Sequence, residues 1–105
     1  MANPQTAATD PLLVDSKHYK LELETDTVRV LRTTYGPREK SVMHSHPAVV
    51  VVVIKGGHAR FTLPDGKTEE IELQAGQVIN MAATQHLPEN VGDSTFEAVL
   101  VELKS

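Results

Sequence analysis

Apolar and polar side chains alternate along one short stretch after another, and turn residues separate the stretches. Residues 18–24 set Tyr19, Leu21 and Leu23 against Lys20, Glu22 and Glu24. Residues 27–35 are rich in β-branched side chains and stop at Gly36-Pro37. Residues 42–54 form a long extended run ended by Gly56-Gly57. Residues 58–63 alternate again and meet Pro64-Asp65-Gly66-Lys67, a hairpin signal with a glycine free to take positive φ. Residues 68–73, 78–82 and 95–103 complete the series. A period of two places alternate side chains on opposite faces of a strand. No stretch keeps a 3.6-residue apolar period beyond two turns. Half-buried strands of this kind cover their apolar faces only by closing on one another. The chain therefore predicts an all-β sandwich or barrel with little or no helix. Residues 49–53 are valine throughout, so both faces of that strand need cover. One face is expected to point into the barrel and the other against a second sheet or a partner, making a homodimer the expected assembly.

With 105 residues, one core is all the chain can bury. Residues 1–11, small, polar and with two prolines, read as a flexible arm, and residues 12–105 as the barrel domain. Net charge is −4, lysines and arginines are scattered, tryptophan is absent, and phenylalanine and tyrosine number two each. That composition offers neither a phosphate-binding stripe nor a base-stacking platform, so nucleic acid is not an expected partner. There is no cysteine, hence no disulfide, thiolate ligand or cysteine nucleophile. The first eleven residues lack the basic start and apolar stretch of a signal peptide, and the cytoplasm is the expected compartment. The apolar stretch 48–54 is too short to cross a bilayer.

Chemistry concentrates in the histidines. His44 and His46 lie two apart, so an extended backbone puts both on one face and aims two neutral nitrogens at one point. Ser45 alternates away from them. His86 is a third candidate, and only a closed sheet returns it to the pair. Arg60, Gln85, Glu89 and Asn90 are candidates near the barrel mouth. Arg60 alternates with Phe61, and inward it would anchor a carboxylate. Gln85 adjoins His86 but points the other way in an extended strand. Asn90 suits a turn cap, and Glu89 reaches the histidines only if residues 87–90 bend inward. His58 and His18 read as surface residues.

These residues resemble the two motifs of a small single-domain cupin, G-x5-H-x-H-x3,4-E-x6-G and G-x5-P-x-G-x2-H-x3-N. The resemblance spans essentially residues 18–103. His44 and His46 match the paired histidines, and Gly56 or Gly57 the closing glycine. Gly76, His86 and Asn90 match the second motif. The glutamate position falls at Val50 or Val51, Arg38 stands where the opening glycine belongs, and Ala82-Ala83-Thr84 replaces the proline and glycine. The second loop is also one residue short.

The resemblance implies a jelly-roll β-barrel and a metal site of three histidines, His44, His46 and His86, without the glutamate. It implies a divalent transition metal (Fe, Zn, Ni, Mn or Cu), a small-molecule ligand, and dioxygenase or isomerase chemistry on a small organic acid or diketone-like compound. A non-catalytic binding or sensing module, or a structural dimer with a vestigial site, is the alternative. Arg60, Gln85 and Asn90 become the substrate-binding candidates. If alternation continues from the histidines, Ala48, Val50, Val52 and Ile54 face the pocket, opposite Val78, Asn80 or Ile79, Met81 and Phe96-Ala98-Leu100.

Overall fold

The computed structural model describes residues 9–104. One short helix, α1 (Pro11–Val14), precedes nine strands: β1 (Tyr19–Glu24), β2 (Val28–Tyr35), β3 (His44–His46), β4 (Val49–Lys55), β5 (Gly57–Thr62), β6 (Thr68–Leu73), β7 (Val78–Met81), β8 (Thr84–Asn90) and β9 (Phe96–Leu103). They form two antiparallel sheets, ordered β1-β2-β9-β4-β7 and β3-β8-β5-β6. The all-β architecture expected from the alternation is what forms, as the jelly roll that the resemblance implies.

Alternation decides what lies between the sheets. β2 turns Leu31, Thr33 and Tyr35 inward, and β9 turns Phe96, Ala98 and Leu100 inward. These side chains, with Tyr19, Val49 and Ala59, make the core. Of the amino-terminal stretch, residues 1–8 lie outside the described residues. Asp10 and Pro11 are buried, and Asp10 caps α1 by accepting from the Leu12 amide.

Two strand readings change. The extended run 42–54 is two strands in different sheets, because Pro47 cannot supply a ladder donor and the chain turns there. The pattern does not carry across that corner. Val49 and Val53 are the buried valines of β4, while Ile54 is exposed. Val50 and Val52 sit on the outer face, opposite Asn80 and Val78. Of the expected inward residues Ala48, Val50, Val52 and Ile54, none lines the barrel cavity; Val49 and Val51 do. In β1 a bulge between Leu21 and Leu23 breaks the alternation, and both leucines are exposed. Residues 84–90, outside the expected series of strands, form β8.

The motif glycines explain themselves. Gly76 has φ +87°, a conformation that L side chains rarely adopt. Arg38, in place of the first motif's opening glycine, takes φ 65°, with its guanidinium donating to the Val91 carbonyl and Asp93. At Gly56 an added Cβ would lie 2.4 Å from the Leu73 carbonyl oxygen, and at Gly57 it would lie 3.0 Å from Phe96. The Gly56 obstacle is backbone and has nowhere to go. Gly56→Ala should destabilise the fold by about 1–3 kcal/mol, read as a lower urea midpoint at unchanged m-value. An unshifted midpoint would contradict this packing.

Candidate metal site

β3 and β8 are antiparallel neighbours, and their register sets His44 directly opposite His86. His46 stands two residues along β3 on the same face. Three imidazoles thus occupy three corners of one small patch, 0–5% exposed. Ring centroids are 4.8, 5.0 and 5.2 Å apart, each pair nearly perpendicular. One ligand atom from each ring lies within 4.8 Å of the others. Two nitrogens sharing one ion at about 2.1 Å can be no more than about 4.2 Å apart. Small ring rotations close that gap.

Hydrogen bonds set which nitrogen is free. His44 Nδ1 donates to the Val42 carbonyl at 2.9 Å, which leaves Nε2 as the lone pair. His46 Nδ1 donates to Glu102 Oε2 at 2.7 Å, leaving its Nε2 bare. The buried Nε2 atoms of His46 and His86 have no hydrogen-bond partner. A buried polar atom without a partner costs about 1–3 kcal/mol. Two of them in one patch fit a coordinated cation, and three imidazoles suit zinc, copper, iron or nickel. Burial, with His46 as neighbour, lowers the His44 pKa to about 4; burial, with His46 and His44, lowers that of His86 to about 2. Both rings are therefore neutral at pH 7.

Behind His46 runs a buried chain of charge that the sequence reading missed. Glu102, fully buried, bonds His46 with one oxygen and accepts from Arg29 Nε at 3.0 Å with the other. Arg29 then grips Asp10 through both terminal nitrogens, each at 2.8 Å. A carboxylate on the far nitrogen of a ligand histidine fixes its orientation and raises its basicity. The signal was available: alternation from Phe96 through Leu100 brings Glu102 to the inner face, where it pairs with Arg29 of β2.

Tyrosines close the other side. Tyr19 Oη lies 3.3 Å from His44 Nε2 and 2.8 Å from Tyr35 Oη. Burial raises the pKa of both phenols, so both keep their protons. His18, expected at the surface, is 5% exposed and stacks on Tyr35 at 4.3 Å. Its ring lies between Asp15 and Glu39, and Asp15 reaches back through Ser41 toward His44.

The other candidates fall outside the site. Arg60 points away from the cavity and pairs with Glu70, with Glu89 beyond at 3.9 Å; its neighbour Phe61 faces in and packs on His86. Gln85 is exposed, because β8 is extended and His86 takes the inner face. Asn90 is buried, but its amide is spent on the Tyr35 and Ser94 carbonyls and the Gly92 amide. None of these three substrate-binding candidates meets the histidines. Glu89 stays on the outer groove, and His58, as expected, pairs with Glu70 at the surface. The cavity below the histidines is about 60 Å³. Its walls are apolar apart from Thr33, Tyr19, Tyr35, His46 and His86; Ile79 and Met81 face in, and Val78 faces out.

No protein-family model and no curated protein matches the sequence. Solved structures do. A cupin domain from Bordetella pertussis Tohama I is 22% identical, with a TM-score of 0.76 over 83% of this chain and 92% of its own. An RmlC-like cupin protein from Methanocaldococcus jannaschii is 20% identical, with a TM-score of 0.64 over 86% of this chain and 84% of its own. A double-stranded β-helix protein from Klebsiella pneumoniae is 24% identical, with a TM-score of 0.65 over 81% and 70%. The chain has the cupin fold.

The depressed histidine pKa values have a direct consequence in the metal-free protein. Below the ordinary value of 6.5 the unfolded chain takes up protons that the folded rings refuse until about pH 4 (His44) and about pH 2 (His86). Stability must therefore fall as pH drops below 6.5, by up to about 1.4 kcal/mol per pH unit for each ring. Urea midpoints of chelator-treated protein should decline between pH 7 and pH 5. His86→Gln should flatten that slope, and an unchanged slope would refute the assignment.

Proposed function

We propose that this cupin-fold chain binds one divalent transition metal through His44, His46 and His86 and holds it for a small anionic molecule seated in the apolar cavity. The observation that carries the reading is the pair of buried, partnerless Nε2 atoms beside a third lone pair. When bound, such an ion supplies Lewis acidity and open coordination positions. The residues supply the rest. Glu102 holds the His46 ring, the Val42 carbonyl holds the His44 ring, and the walls exclude bulk water. A cavity of about 60 Å³ limits the guest to a small molecule or to one end of a larger one.

The catalytic form of this reading is dioxygenase or isomerase chemistry on a small organic acid or diketone-like compound. The binding form is capture without turnover, as in a sensing module. Oxygen uptake by the iron-loaded protein with diketones, thiols and small enol acids separates them. No uptake with any of these removes the dioxygenase form and leaves the binding form standing.

Titration of chelator-treated protein with zinc against a chelating dye tests the site itself. One ion should bind per chain. His46→Ala should abolish retention through gel filtration, since two imidazoles hold a divalent ion poorly in water. Glu102→Gln should weaken binding about 10- to 100-fold. Stoichiometric binding that survives His46→Ala would overturn the assignment.

A second observation supports self-association. The outer face of the larger sheet carries Val30, Val50, Val52, Val78, Val99 and Val101, with Leu23 and Leu103 at its margins, and no described element covers it. We propose a second copy of the chain as the cover. Sedimentation at micromolar concentration should show a dimer, and Val101→Glu should give a monomer that still binds one zinc. Wild-type protein sedimenting as a monomer would remove the proposal.

A further inference from the structure

Tyr19 stands where its hydroxyl loses the His44 acceptor once that histidine is engaged. The Val42 carbonyl only accepts, so His44 Nδ1 carries the proton and Nε2 is an acceptor. The Tyr19 hydroxyl, 3.3 Å away, donates to it and accepts in turn from Tyr35 at 2.8 Å. A cation on His44 Nε2 takes that lone pair, and the buried Tyr19 O–H must then turn to Tyr35 Oη or to an acceptor held on the ion.

Charge points to what that acceptor is. Behind the histidines, Glu102 and Asp10 both face the Arg29 guanidinium. A divalent ion at the three imidazoles would be the largest local positive charge, and it would draw an anion as its further ligand.

We propose that Tyr19, backed by Tyr35, is a ligand-binding residue: its hydroxyl donates a hydrogen bond to the anionic atom of a small monoanion, a monocarboxylate or enolate, held on the metal. The proposal rests on the metal reading above. It assigns the anion's polar end to the Tyr19 and His44 side, leaving its apolar body toward Phe61 and Phe96.

Cobalt(II) loaded into wild-type and Tyr19→Phe protein, titrated with acetate, azide and neutral imidazole and followed by ligand-field absorption, tests it. Tyr19→Phe keeps the ring and should leave cobalt affinity and thermal midpoint near wild type. It should weaken acetate and azide binding about 10- to 100-fold and leave imidazole binding unchanged. Tyr35→Phe, which removes only the supporting donor, should weaken the anions less.

Equal anion affinity in wild type and Tyr19→Phe would overturn the proposal, because the phenol pair would then satisfy itself. Loss of cobalt affinity in Tyr19→Phe would overturn it too, by making Tyr19 a metal ligand. Equal weakening of imidazole would reduce Tyr19 to packing. Wild-type protein that takes up no cobalt would instead sink the metal reading on which the proposal stands.

Discussion

The Arg29–Glu102 pair ties the barrel to its histidines. It joins adjacent strands β2 and β9 at one register position, on the inner face where apolar side chains would pack more cheaply. Removing both charges from water costs several kcal/mol per ion, and a buried ion pair seldom stabilises a fold over a hydrophobic replacement. Its value lies in direction. Glu102 has one oxygen committed to Arg29 and the other to His46, so the imidazole cannot rotate without breaking the chain that ends at Asp10.

This arrangement answers the absence of a carboxylate at Val50 or Val51. A glutamate touching the ion would add its charge and occupy a coordination position. Glu102 brings a negative charge to the same region one imidazole further out, and Arg29 and Asp10 moderate it. In the proposed site, the coordination position that a glutamate would fill is left open. His44 and His86, kept neutral by burial, keep their lone pairs, and the phenols opposite keep their protons. Donors and acceptors are thus sorted before any ligand arrives.

Much of this was legible in the sequence, for reasons that differ by residue. His44 and His46 share a face in any extended backbone, and the turn signals required a closed sheet to bring His86 back. The valines of β4 were misplaced by one register because alternation holds only along an unbroken strand, and Pro47 ends one strand and starts another. Glu102 and Arg29 were overlooked although alternation placed both inward, because charged residues on an inner face read as exceptions until their partners are seen. Tyr19 stayed hidden among the alternating residues of β1, since a pattern of faces does not say which ring a hydroxyl meets. Arg60 illustrates the converse. Its chemistry suited an anion, but one position of alternation gave the inner face to Phe61.

The grip on Asp10 makes the start of the described region a partner of its centre. Proteolytic trimming past that residue would remove the carboxylate that grips both terminal nitrogens of Arg29, and would change the charge that Glu102 faces. The injury would register first as a loosened imidazole deep in the barrel, while the strands themselves still held. A nick at the periphery would thus silence the interior before the scaffold gave way.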